Sequence, residues 1–325
     1  MITRLIQAIY HRNRFVQILL QSARDALRFI RHAGAFHQTF KEQQIAAITM
    51  AYHVIEKGLT MPNRRLGFGQ QAVVRLIQLI YKFADEYGAS DPTLLYAAGV
   101  VKEYRETHEE ASFDLPRDLK EQLDTFASRF PNVPPSAQLH VTREEYYAHR
   151  QDAFPLFSAS RHSVRNLSGT VSKERLQEAL ALAQNAPSAC NRQHSRVHCI
   201  CNRDTMKEIL SIQGGCRGFG HLADKLLIVS ASLHDIRWAE ERVDAYTNAG
   251  IYIMNLCYSL HYYQIAHCIL NWSVSPFTDA KLREYVSIPP EEVVVALIAC
   301  GDCPEDFSLA ASPRKDISQT VRFYD

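Results

Sequence analysis

The chain has 325 residues, of which 46% are hydrophobic and 22% charged, and its formal net charge is +1. That length predicts two domains of ordinary globular composition. The near-neutral charge excludes the basic excess of a nucleic-acid binder, and no apolar run approaches the roughly 20 residues of a membrane-crossing helix.

In chain order, residues 1–42 carry seven Lys or Arg against two acidic residues. Such a stretch suits either a solvated helix face or a basic amphipathic helix at an anionic surface, and the solvated face is the expectation. No signal peptide is predicted, and a cytoplasmic location is expected. Helices then follow one another: an amphipathic stretch over 44–57, another with Val73, Ile77, Ile80 and Ala84 on one face, and a third starting at Asp91-Pro92 as N-cap and first helical residue. Between the first two, residues 58–69 hold Gly58, Pro62, Arg64, Arg65, Gly67 and Gly69. This is either an interhelix loop or a flap that reaches an anionic substrate. The Pro-rich segment 130–136 reads as a linker, and Thr142 with Glu145 forms a capping box. The expected domains are a helical one over 1–135 and a second over 151–325, with the linker near 130–150.

From Val171 the pattern alternates. A helix is predicted over 172–184, strands over 196–201, 225–231, 266–272 and 293–299, and helices between them. This alternation predicts an α+β domain, a central sheet flanked by helices. Between Asp244 and Asp279 there is no Asp, Glu, Lys or Arg. A helix uncharged all round must be covered all round, by a second subunit or as the central helix of a monomer. A second subunit is the expectation.

All eight cysteines lie between Cys190 and Cys303, mostly in apolar stretches, as reduced core cysteines do. Cys300-Gly301-Asp302-Cys303 lacks both a following helix and a second pair, so it reads as structural and no metal site is predicted. His53, His221 and His267 have no partners at ligand spacing.

The chemistry concentrates at Ser160-Arg161-His162-Ser163-Val164-Arg165. In an extended segment Arg161, Ser163 and Arg165 share a side, and guanidinium forks suit phosphate. Ala186-Pro187-Ser188-Ala189-Cys190-Asn191-Arg192-Gln193 presents hydroxyl and carboxamide groups, and Ser312-Pro313-Arg314-Lys315 adds two cations. These three segments, in this order, resemble the nitroreductase family over about Phe157 to Lys315. The long uncharged helix and the strand ending at Ala299-Cys300-Gly301 belong to the same resemblance.

The resemblance implies a homodimer with FMN at the subunit interface, and ping-pong electron transfer from NADH or NADPH to a small organic acceptor. It also implies roles. Arg161, His162 and Ser163 would hold the FMN phosphate and ribityl chain, joined by Arg314 and Lys315. Arg165 would face the N1 and C2-oxygen side of the ring. Asn191 and Gln193 would meet the pyrimidine edge, with Pro187 and Ser188 lining the site across the dimer interface. No protein nucleophile is then needed, in keeping with a chain that shows no G-x-S-x-G, H-E-x-x-H or P-loop.

Three departures bear on substrate preference. His194-Ser195 stands where many relatives have Pro and an aromatic residue, and Tyr263-Gln264-Ile265-Ala266 stands where many have a Gly-rich turn. Pro276 removes one backbone donor from 271–277. The alternative function is a flavin-binding sensor, carrier or assembly factor acting through its helical half.

Overall fold

A computed structural model describes residues 13–32, 39–236 and 238–324. The basic stretch at the N-terminus is therefore described only in part, and residues 1–12 lie outside it. The helices are α1 (Arg14–His32), α2 (Lys41–Leu59), α3 (Gln70–Tyr87), α4 (Pro92–Glu110) and α5 (Arg117–Arg129), followed by strand β1 (Leu139–Thr142) and two short helices, α6 (Arg143–Tyr147) and α7 (Phe154–Ser160). Then come α8 (Lys173–Ala183), β2 (Ser195–Ile200), α9 (Arg203–Gln213), β3 (Lys225–Ser232), α10 (Asp244–Tyr262), β4 (Ala266–Asn271), α11 (Pro276–Tyr285), β5 (Glu292–Gly301) and β6 (Asp306–Leu309).

The chain divides into two compact units, 1–27 with 141–307 and 28–140 with 308–325. The C-terminal segment thus belongs to the helical unit, and residues 13–27 to the sheet unit.

In the helical unit, α3 buries Val73, Leu76, Ile77, Ile80 and Phe83, the stripe that helical spacing puts on one side. They join Ile48 and Ile55 of α2, Leu94, Val101 and Tyr104 of α4, and Leu123 and Phe126 of α5 in one core. Asp91 caps α4 by accepting from the Thr93 amide at 3.0 Å, and Pro92 occupies the first turn, as expected. The segment 130–136 is not a free linker. The Ser136 amide donates to the Gly99 carbonyl at 3.0 Å, and Lys102 donates to the carbonyls of Pro131 and Val133. A Cβ at residue 99 would stand 3.0 Å from Pro134 and Ser136 backbone atoms, so glycine permits this approach. The chain passes between the units at 140/141 and 307/308, within β1 and β6, which pair with each other in a two-stranded sheet.

In the sheet unit the strand order is β2-β3-β5-β4, with every neighbour antiparallel. All positions of β3 except Lys225 are buried, so both faces of the sheet are covered. Leu176, Ala179 and Ala183 of α8 and Leu256, Cys257 and Leu260 of α10 pack with Leu227, Val229, Ile298 and Cys300 of the strands. The α10 helix is covered on one side only. Ile251 and Tyr262 stand exposed on its other side, while Asn248, Tyr252, Leu256 and Leu260 are buried.

Candidate functional site: unpartnered arginines and a strained loop

Residues 161–168 run extended beside the sheet. The Val164 amide donates to the His267 carbonyl of β4 at 2.9 Å, and Ser168 and Asp302 exchange two backbone hydrogen bonds at 2.8 Å. Val164 and Leu167 are buried inward. Arg165 is also buried, 8% exposed, yet its guanidinium has no ion-pair or hydrogen-bond partner among the described residues. Arg161 likewise has no partner there, and its Nε is buried. No Arg165 nitrogen is among the fully buried unpartnered atoms, so the guanidinium keeps access to solvent although most of the side chain is covered. Arg161 is only half-buried, so the two guanidinium groups differ in exposure but share the absence of a partner among the described residues.

The surroundings keep this segment positive. His261 and His267 are buried, and burial, reinforced by the nearby Arg161 guanidinium, pushes their pKa down to about 3 and about 4. Both rings are therefore neutral at physiological pH. His261 Nε2 lies 2.8 Å from the Ser160 hydroxyl, and His267 Nδ1 donates to the Ile265 carbonyl at 3.0 Å. His162 Nδ1 donates to the Ser160 carbonyl at 3.0 Å, and the Tyr146 hydroxyl donates to the His162 carbonyl at 3.1 Å.

The second segment is held in strain. Cys190, Asn191 and Gln193 have φ of 52°, 54° and 50°, and such left-handed residues other than Gly or Asn cost roughly 1–3 kcal/mol each. Three anchors hold the loop. The Ala189 amide donates to Asn248 Oδ1 at 2.8 Å, and the Gln193 amide donates to Ser188 Oγ at 2.9 Å. Arg192 makes a fork to Glu241 at 2.8 and 3.1 Å. Arg192 is thus an anchor, while Asn191 and Gln193 are exposed, with Gln193 Nε2 3.2 Å from Asn191 Oδ1. Pro187 is exposed and Ser188 half-buried. His194, at one of the departures noted above, is fully buried with both ring nitrogens unpartnered.

The two segments hang from opposite ends of α10, the loop from Asn248 and the arginine segment near His261. Thirteen helical residues separate those anchors by about 20 Å. No hydrogen bond among the described residues joins the Asn191 and Gln193 loop to Arg161 or Arg165. Arg314 and Lys315 lie exposed in the helical unit, where Arg314 Nη1 donates to the Ser312 carbonyl at 2.6 Å. Sequence reasoning missed Asn248, although an Asn inside an otherwise uncharged helix was a usable signal.

Other sequence features are tied into the fold by their own contacts. The loop 60–69 is fastened to α4: the Gly67 amide donates to His108 Nε2 at 2.9 Å, and the Tyr104 hydroxyl donates to the Phe68 carbonyl at 2.8 Å. Cys300 and Cys303 are buried, and burial raises both thiols, Cys303 to about 11. Asp302 between them pairs with Arg143 at 2.8 Å. Cys190, Cys199 and Cys201, by contrast, are exposed.

These features define an α+β domain in which Arg161 and Arg165 have no partner among the described residues. Residues 159–216 match the nitroreductase family, a stretch holding the Arg161–Arg165 segment, the strained loop, β2 and α9. Among curated proteins none matches. Solved structures similar to the chain include an FMN-dependent nitroreductase from Clostridium difficile, 18% identical over 52% of this chain and 98% of its own, with a TM-score of 0.43. A protein assigned as a nitroreductase from Desulfovibrio desulfuricans, in complex with FMN, is 18% identical over 54% and 98%, with a TM-score of 0.44. Another, from Bacillus subtilis, is 17% identical over 53% and 98%, with a TM-score of 0.45.

Proposed function

We propose that the sheet unit binds FMN and acts as an oxidoreductase of nitroreductase type, carrying electrons from NADH or NADPH to a small organic acceptor in a ping-pong cycle. The observation that carries this reading is the buried, unpartnered Arg165 beside Arg161, within the segment that matches the family. FMN fits the residues present, because its phosphate and its electron-rich pyrimidine edge are the kinds of group that free guanidinium forks accept. Bound FMN would supply the hydride chemistry.

The protein's part is orientation and charge. Arg161, His162 and Ser163 would grip the phosphate and ribityl chain. Arg165, fixed by burial rather than by a counter-ion, would favour negative charge on the ring it faces. Asn191 and Gln193, each able to donate and accept, would read the pyrimidine edge beside Pro187 and Ser188. His261 and His267 stay neutral and so do not add charge that would compete with the arginines.

A homodimer completes this arrangement. The roughly 20 Å between the two anchors on α10 leaves room for one copy's loop to meet the other copy's arginine segment. The exposed, uncharged side of α10 with Ile251 and Tyr262 offers the surface for it.

The test is direct. The purified protein should be yellow, should bleach with NADH or NADPH under anaerobic conditions, and should recover its colour with a quinone or nitroaromatic acceptor. A colourless protein that leaves added FMN fluorescence unquenched overturns the reading. A yellow protein that no pyridine nucleotide bleaches reduces it to flavin binding.

A further inference from the structure

The α1 helix is oriented against the usual rule for amphipathic helices. Gln21 and Asp25 on its polar side are both hydrogen-bonded to Arg242, and the Arg14 guanidinium lies 4.9 Å from the Trp238 ring centre. Its apolar side faces away. Phe15, Ile18, Leu19, Leu20, Leu27, Phe29 and Ile30 are all between 46% and 68% exposed, and no residue of the helix is buried. A soluble helix ordinarily turns such a stripe inward. Seven large apolar side chains on one helix form a patch of the size that marks an interaction surface.

Charge says what kind of surface. Asp25 is the sole acidic residue among the first 41, and Arg242 neutralises it. The remaining outward charges are Arg24, Arg28 and Arg31, which have no ion-pair or hydrogen-bond partner among the described residues. On a helical projection these three lie together along one border of the apolar arc. The free face is therefore apolar with a purely cationic edge. A second copy of the chain could offer the uncharged outer side of α10, but residues 245–278 contain no carboxylate to meet the arginines. A bilayer with anionic headgroups satisfies both requirements at once. At 19 residues the helix is about 28 Å long. No helix among the described residues is long and apolar enough to cross a membrane. The helix would lie along the lipid surface with its polar side on the protein.

We propose that α1 docks the protein onto an anionic lipid surface. This claim is independent of the FMN reading and replaces the solvated face expected from sequence.

The experiment is flotation of the full chain with phosphatidylcholine vesicles, with and without about a third phosphatidylserine, at 50 and 300 mM salt. Expected are binding to the serine-containing vesicles, little to phosphatidylcholine alone, and weakening at the higher salt. Replacing Arg24, Arg28 and Arg31 together by Gln should weaken partition by about a hundredfold, at roughly tenfold or less for each cation. Leu19→Glu with Ile30→Glu should abolish partition. Both variants alter exposed side chains, so thermal melts should match the parent. The proposal is overturned by a full chain that stays unbound on anionic vesicles, or that binds both vesicle types equally. It is also overturned if the Leu19→Glu, Ile30→Glu variant turns a dimer into a monomer while vesicle binding is absent throughout, which would assign the face to a second copy.

Discussion

Glu56 of the helical unit and Arg165 of the sheet unit are both buried ionisable groups, and their surroundings differ sharply. Glu56, 0% exposed, accepts from the Tyr96 hydroxyl at 2.8 Å, the Ser312 amide at 2.6 Å and the Ser312 hydroxyl at 3.2 Å, with His53 Nδ1 at 2.7 Å. Those hydrogen bonds outweigh desolvation and hold its carboxyl below the ordinary range. Arg165 has none of this among the described residues. Buried nitrogens of Arg161, His194, His261 and His267 in the same unit also lack partners. A finished polar network reports a structural role, whereas an unfinished one reports chemistry that a ligand must complete.

The contrast can be broken at several points. The largest effect should come from pH. The unfolded chain protonates His261 and His267 near 6.5, while the folded chain keeps them neutral down to about 3 and about 4. The stability of the sheet unit should therefore be full above pH 6.5 and fall on acidification, by roughly 1.4 kcal/mol per pH unit for each ring, or about 4 kcal/mol at pH 5. Urea midpoints at pH 7 and 5 check this, and a midpoint that does not move would return both rings to ordinary titration.

Next is Glu56→Ala, which leaves Tyr96, His53 and the Ser312 amide without their acceptor. It should destabilise the helical unit by about 3 kcal/mol in denaturant melts. A loss under 1 kcal/mol would mean the network is incidental. For Arg165→Ala the sign of the stability change should reverse, since removing an unpartnered buried cation leaves melting unchanged or raises it. Flavin reduction in stopped-flow should slow about a hundredfold. Unaltered reduction rates would take Arg165 out of the site.

The smallest effects separate the units. Asp91→Ala removes the α4 cap and Ser172→Ala the α8 cap, each at about 1 kcal/mol. Each should move the melting of its own unit only, as followed by amide exchange.

Much of the fold was legible because its signals are local. Helical stripes such as Val73, Ile77 and Ile80, the Asp91-Pro92 start, the Thr142–Glu145 box and the apolar strand runs all read correctly. β1, β6 and α7 were missed, being four to seven residues long, too short for periodicity to show. The segment 130–136 misled because its prolines signal an exposed turn, while the feature that seats it, Gly99, lies over 30 residues earlier. In the site, residue type was legible at Arg161 and Arg165, but burial without a partner was not. That property depends on what the rest of the chain fails to bring near. The exchange of the terminal segments between the units was likewise beyond local reading.

The pairing of Glu56 with Ser312 spans 256 residues of chain. At ribosomal speeds of about 5–20 residues per second, the carboxylate would wait roughly 13–50 s for the amide that completes it. Helices α2 to α5 would thus form first around a Glu56 carboxylate held by Tyr96 and His53 alone, which the later arrival of Ser312 completes. A stalled or clipped product ending before residue 312 would keep the carboxylate in that incomplete state. The segment that carries Ser312 would then act as a check that synthesis has passed that residue.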